Sequence, residues 1–191
     1  MPGEYRFLTG STWHTPADTH TIQQGTVTVR AQYIIEWEIK WLASNDPPSH
    51  TGSWMNFLHV GSSDSHRVPG LWLGSSRVDK FYVAFDEGTY GSLNGGAQEL
   101  STCCSGLSWT AGAEYDMAME VSNSAGSGTS GCTGRLTVTP KATGVTYTAT
   151  TQSMANCVSD RRGQEQAIYI GDPWYNIQQW STRNVRVHYF E

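Results

Sequence analysis

The stretch Tyr33–Trp41 constrains the fold of this chain more than any other. Tyr33, Ile35, Trp37, Ile39 and Trp41 alternate with Ile34, Glu36, Glu38 and Lys40. A period of two puts the first set on one face of an extended strand and the second on the other. The first face must be buried, and the second is mostly wet. A helix cannot sort these residues, because its faces recur at three and four positions. The same alternation returns along the chain. Val27 and Val29 share a face within Thr26–Arg30, as do Phe81, Val83 and Phe85 within Val78–Phe85. Tyr115, Met117, Met119 and Val121 point one way while Asp116 and Glu120 point the other, and Val185, Val187 and Tyr189 repeat the pattern in Asn184–Phe190. Leu136–Thr139 and Val145–Thr150 read as a hairpin around Pro140–Gly144, and Ala167–Ile170 as a short apolar strand. The nearest approach to a helix is Asn176–Trp180, at most one turn.

Short strands separated by turn signals predict an all-β fold, and strands with one apolar and one polar face predict a two-sheet antiparallel β-sandwich. A single domain over residues 1–191 accommodates them, and a chain of that length can bury a substantial core. Charged residues make up only 15 %, and the net charge is −5. Nucleic acid and anionic membranes, which are bound mainly through clustered Lys and Arg, are disfavoured as partners. No apolar run approaches the ~20 residues of a membrane span, so no membrane insertion is expected. The N-terminus turns polar within a few residues, and no signal peptide is read there.

The cysteines are Cys103, Cys104, Cys132 and Cys157. They lack paired C-x-x-C spacing, which argues against zinc. Adjacent cysteines rarely bond each other, which leaves two cross-pairings of Cys103 and Cys104 with Cys132 and Cys157. An even count in a β chain rich in Ser, Thr and Gly points to an oxidising, extracellular setting, against the alternative of four reduced thiols.

Four segments resemble the concanavalin A-like lectin/glucanase superfamily, in particular its laminin G-like branch. They are Ile34–Lys40; Phe57–Val60 followed by Arg67–Leu73; Glu114–Val121 before the hairpin at Leu136–Thr150; and Ile168–Tyr175 with Arg183–Val187. The resemblance implies a jelly roll whose closing segments pair near the chain's beginning. It also implies a lectin-like domain that binds glycans or extracellular proteins. It implies no cofactor beyond the rim calcium ion that many laminin G-like domains hold, and the sequence shows no full ligand set for one.

Candidate binding residues fall in two loops. Between two apolar runs, residues 61–67 hold Asp64, His66 and Arg67, an acceptor, a titratable group and a bidentate donor within four positions. Arginine's planar fork suits carboxylates and sulfates, which favours an acidic sugar. The plain alternative is a solvated turn, or an Arg67 buried in a structural pair. The second loop carries Asp172, Trp174 and Tyr175, whose rings either stack on sugars or plug the end of a sandwich. Trp13, Trp109 and Trp180 also lie beside polar stretches. His59 sits inside an apolar run and reads as a structural histidine. Glu36 and Glu38 share a strand face, as the paired carboxylates of a glycosidase must, but a solvated face balanced by Lys40 is the favoured reading.

The expected function is non-enzymatic carbohydrate recognition outside the cell. The alternatives are a protein-binding or assembly module of a matrix, coat or filament, and a glycan hydrolase or lyase that would need a third carboxylate beside Glu36 and Glu38 in a groove. The cysteine reading gives a first test. Peptide mapping under non-reducing conditions should find Cys132 and Cys157 each linked to Cys103 or Cys104; four alkylatable thiols would refute it.

Overall fold

The computed structural model describes residues 5–14, 23–42, 55–62, 66–74, 77–87, 98–100, 104, 106–123, 132–151, 163–170 and 180–190. Twelve strands cover most of them: β1 (Tyr5–Phe7), β2 (Gln23–Thr28), β3 (Gln32–Trp41), β4 (Met55–Val60), β5 (His66–Gly74), β6 (Arg77–Glu87), β7 (Gln98–Leu100), β8 (Glu114–Asn123), β9 (Cys132–Pro140), β10 (Tyr147–Thr150), β11 (Glu165–Tyr169) and β12 (Trp180–Tyr189). No helix occurs among the described residues. The strands form two six-stranded sheets, one in the order β1-β12-β3-β8-β9-β10 and the other β2-β11-β4-β5-β6-β7, with antiparallel pairing throughout. The fold is the two-sheet β-sandwich that the alternation predicts.

β3 lies inside the first sheet between β12 and β8, and its burial alternates residue by residue as its sequence does. Its buried residues meet Phe57, Leu71, Leu73, Phe81, Val83 and Phe85 of the second sheet in one core. Aromatic rings fill one part of this core. Trp180 stacks on Phe57 at 4.1 Å and on Trp41 at 5.7 Å, and Trp41 stacks on Trp109 at 5.0 Å. Burying each such side chain stabilises the fold by about 1.5–3 kcal/mol. Trp109 is delivered by a non-strand segment that Tyr115 fixes in place. The Tyr115 hydroxyl accepts from the Thr110 amide at 2.8 Å and donates to the Ser108 carbonyl at 2.9 Å.

Two tyrosines tie the sheets together. The Tyr33 hydroxyl of β3 donates to the Val68 carbonyl of β5 at 2.5 Å, and the Tyr189 hydroxyl of β12 accepts from the Thr28 amide of β2 at 2.9 Å. Burial, with Tyr189 nearby, pushes the Tyr33 phenol far above its ordinary pKa, so it stays a neutral donor.

Two features depart from the sequence reading. The first residues supply a strand, β1, which pairs with β12, and beyond it His14 bridges Thr182. β12 itself starts at Trp180, ahead of the expected Asn184. A bulge between Arg183 and Arg186 interrupts its alternation, so only the part from Val185 onward shows a clean period of two.

The second sheet buries polar groups on its far side. Trp72 pairs with Asn56 and stands outside the main core, and its indole lies across Gly70. A Cβ on Gly70 would stand 2.0 Å from Trp72 Cη2, whereas one on Gly134 would meet first the flexible end of Met119 at 2.5 Å. Gly70→Ala should therefore cost about 2 kcal/mol and lower the melting temperature by about 4–8 °C. Gly134→Ala should cost less, and thermal denaturation of both variants checks the order.

Candidate functional site

The even-numbered residues of β3 emerge on the outer face of the first sheet, and register decides what they meet. Glu36 pairs with Ala118 of β8 and Arg186 of β12; Glu38 pairs with Asp116 and Arg183. One strand further, Ala118 pairs with Thr137 of β9 and Asp116 with Thr139. Ala118 is the smallest side chain in this array. Around it lies a depression of about 190 Å³, lined among others by Glu36, Glu38, Asp116, Thr137, Thr139 and Asn184.

The bulge of β12 supplies part of this wall. Asn184 has φ of 53°, in the left-handed region that asparagine tolerates better than most residues. Its amide donates to the Gly10 carbonyl at 3.0 Å, and the next amide, of Val185, donates to Thr9 Oγ1 at 2.9 Å. In consequence Arg183 and Asn184, neighbours in sequence, both reach the same carboxylate on β3.

That carboxylate is Glu38. Oε2 accepts from Lys141 Nζ at 2.5 Å and Arg183 Nε at 2.8 Å, and Oε1 accepts from Asn184 Nδ2 at 2.6 Å. Burial alone would raise the Glu38 pKa, but the hydrogen bonds from Lys141, Asn184 and Arg183 outweigh it and hold the group down at about 2. Lys141, at the β9–β10 turn, also lies 3.3 Å from Asp116 Oδ1 and 3.9 Å from Glu114 Oε2. Burial opposes its charge, yet Glu38 and Asp116 carry its pKa above the ordinary lysine value. Arg183 continues to Glu114 at 3.1 Å, Arg186 Nε holds Glu36 Oε2 at 2.9 Å, and the Arg183 guanidinium lies 4.1 Å from the Trp13 ring centroid. The result is a preorganised array of acceptors and donors. Glu38 carries no proton at neutral pH, so it cannot serve there as a general acid.

Glu36 and Glu38 thus sit in a lattice whose cations come from β12 and the β9–β10 turn, in place of the Lys40-balanced face read from the sequence. Of the loop candidates, Asp64, Asp172, Trp174 and Tyr175 lie outside the described residues. His66 and Arg67 open β5, opposite Glu87 and Asp86 of β6. Arg67 is buried, with its guanidinium 4.8 Å from the Trp72 ring centroid. His59 is buried too, its ring edge-on to Tyr169 at 6.1 Å. Trp109 and Trp180 are core residues, while Trp13 is half-buried. Cys104 and Cys132 are buried, with no free cysteine among the described residues; Cys103 and Cys157 lie outside them. No group of three or more His, Cys, Asp or Glu side chains placed to hold a metal ion occurs among the described residues. Sequence reasoning missed Asp116, Asn184, Arg183, Arg186 and Lys141 as partners of Glu36 and Glu38. The signal available was the break in alternation between Trp180 and Val185.

This architecture is an all-β two-sheet sandwich, and solved structures share it. The enzymatically active domain of bacteriophage CBA120 tailspike protein 2 matches with a TM-score of 0.58 and 11% identity, over 100% of this chain and 29% of that one. The lectin UEA-II complexed with galactose gives 0.49 at 9% identity, over 98% and 94% of the two chains. The receptor binding domain of botulinum neurotoxin type G gives 0.44 at 6%, over 99% and 43%. The chain thus spans less than a third of the tailspike chain it matches, and at such identity what is shared is fold alone. No protein-family model matches the sequence, and no curated protein matches it.

The depressed pKa of Glu38 has a thermodynamic consequence. A carboxyl held at about 2 in the folded state, against an ordinary value of 4.5, favours folding while it is ionised. Its contribution is fully present above about pH 4.5 and is lost as pH falls toward 2. Glu38→Gln should lower stability at pH 7 by about 1.5–3 kcal/mol, the range for charge-assisted hydrogen bonds. It should also flatten the stability profile between pH 4.5 and 2. Urea denaturation across that range checks both.

Proposed function

We propose that this chain is a non-enzymatic carbohydrate-recognition domain working outside the cell, whose ligand binds in the depression on the outer face of the first sheet. The observation that carries the reading is the fixed lattice around Glu38. Sugar hydroxyls are donors and acceptors at once. Here they meet carboxylate acceptors in Glu36 and Asp116, hydroxyls in Thr137 and Thr139, and an amide in Asn184, all around one depression. At about 190 Å³ it falls short of the ~300–1,000 Å³ that encloses a small molecule, so it suits one unit of a larger ligand held at the surface. The laminin G-like relationship suggested by the four sequence segments is part of this proposal. Ligand contacts at loop ends, through Asp64, His66, Arg67, Asp172, Trp174 and Tyr175, are proposed apart from the depression, since Arg67 packs on Trp72 of the second sheet.

A glycan hydrolase is the second reading, because Asp116 joins Glu36 and Glu38 in the same depression as a third carboxylate. Hydrolysis needs one of these groups to keep a proton at working pH. The lattice favours the opposite state for Glu38, which is held at about 2 by its hydrogen bonds to Lys141, Asn184 and Arg183.

Ala118→Phe fills the floor of the depression without removing a charged group. Affinity electrophoresis through a panel of soluble polysaccharides should show sugar-competable retardation of the parent protein. For Ala118→Phe the retardation should weaken by about tenfold or more at unchanged melting temperature, the loss of about 1.4 kcal/mol of contact. No new reducing ends should appear. Equal binding by the variant would exclude the depression, release of reducing ends would establish the hydrolase, and absence of any sugar binding would leave the assembly role.

A further inference from the structure

We infer that Trp13 is the stacking platform of this site and that the ligand is a neutral glycan chain lying across the strands. The inference rests on the reading that the depression binds a glycan, and it adds the ligand's charge class, its direction and an aromatic contact. Trp13 belongs to the segment that follows β1. His14 locks that segment beside β12 through reciprocal backbone hydrogen bonds with Thr182, at 2.8 and 2.9 Å. Arg183 then lies against the indole at 4.1 Å while its Nε holds Glu38 at 2.8 Å, so one guanidinium joins the aromatic ring to the wall of the depression. The ring is half-buried, braced and still reached by solvent. That is the arrangement in which an indole face takes a sugar ring at little entropic cost.

Direction follows from register. Arg183, Glu38, Asp116 and Thr139 occupy paired positions on β12, β3, β8 and β9, and Thr139 Oγ1 lies 3.1 Å from Thr146 Oγ1 just before β10. With Trp13 at the near end, this polar strip crosses five strand spacings, about 24 Å at ~4.8 Å each. A chain of sugar units laid along it runs across the strands, with one unit over Trp13 and another in the depression.

Charge selects the class. Among the described residues, the cations that hold the carboxylates of the depression are each committed: Arg186 faces Glu36, Arg183 faces Glu38 and Glu114, and Lys141 faces Glu38, Asp116 and Glu114. Lys40, two positions beyond Glu38 on the same face, is not part of the lining. The Asp116 side chain, 55% exposed, presents a negative group to whatever arrives. An anionic sugar in the depression would meet this carboxylate with each of those three cations already committed, whereas neutral hydroxyls donate to it.

The test uses the whole chain with named probes: the neutral polysaccharides xyloglucan, galactomannan, laminarin and dextran, and the anionic polygalacturonate and alginate. At least one neutral polymer should bind, with affinity unchanged between low and high salt, and the anionic ones should not. Trp13→Ala should weaken binding about tenfold or more, and Trp13→Phe, which keeps a smaller ring and the Arg183 contact, should fall between. Ligand should shift the tryptophan emission of the parent protein, and the shift should be lost in Trp13→Phe, a readout that a merely structural role for Trp13 would not move. If Ala118→Phe loses binding while both Trp13 variants keep it, the depression stands and the platform is wrong. Preference for polygalacturonate or alginate overturns the charge assignment. No binding to any of the six overturns the glycan reading and this inference with it.

Discussion

A strand has two faces, and β3 commits them to opposite surroundings. Tyr33, Ile35, Trp37, Ile39 and Trp41 lie in the core, while Glu36 and Glu38 stand in the lattice on the other side. Sliding β3 by one residue would bury both carboxylates and expose the aromatic row, a change no local adjustment could offset. The register is held by β12 on both faces, by the Trp41–Trp180 stack inside and by the Arg183–Glu38 and Arg186–Glu36 bonds outside. Core and candidate site are therefore two consequences of a single alignment. This is why the depression falls in mid-sheet, where the backbone is most constrained.

What was legible in the sequence follows from the same geometry. Alternation depends only on neighbours along one strand, so β3, β6, β8, the β9–β10 hairpin and the latter part of β12 could be read directly. Which strand lies beside which could not. Glu38 meets Asp116, Lys141 and Arg183, all distant in sequence, and no pattern within E-W-E-I-K-W announces them. The carboxylates were visible as candidates; the cations that change their chemistry were not. The bulge at Asn184 hid the rest, because a single extra residue shifts the parity of everything before it and makes Trp180–Arg183 look irregular. Arg67 shows the converse difficulty. A guanidinium beside Gly, Ser and Asp suggests a solvated loop, yet its planar cation packs on an indole within the fold.

The Glu38 lattice also bears on what this carboxylate can do. A carboxylate that accepts from an ammonium, a guanidinium and an amide is stabilised in its charged form and is geometrically pinned. Catalytic pairs work by pushing two pKa values apart, with one group held protonated by an apolar environment. Around Glu38 every neighbouring donor acts in the other direction. The effect of the lattice is to fix several polar side chains of the depression in one arrangement, the preorganisation on which the proposed glycan reading rests.

The N-terminal segment belongs to this machinery through the backbone. Gly10 and Thr9 receive the amides of Asn184 and Val185, which is what lets β12 bulge at that point. The bulge aims Asn184 and Arg183 together at Glu38, and Arg183 carries the connection outward to Trp13, which the same segment holds beside Thr182. The chain of contacts closes on itself: residues 9–14 shape the bulge, the bulge orients Glu38's partners, and one of those partners seats the indole of residue 13. Loosening any link loosens the others. The segment that carries least periodic signal in the sequence thus settles where the polar strip begins.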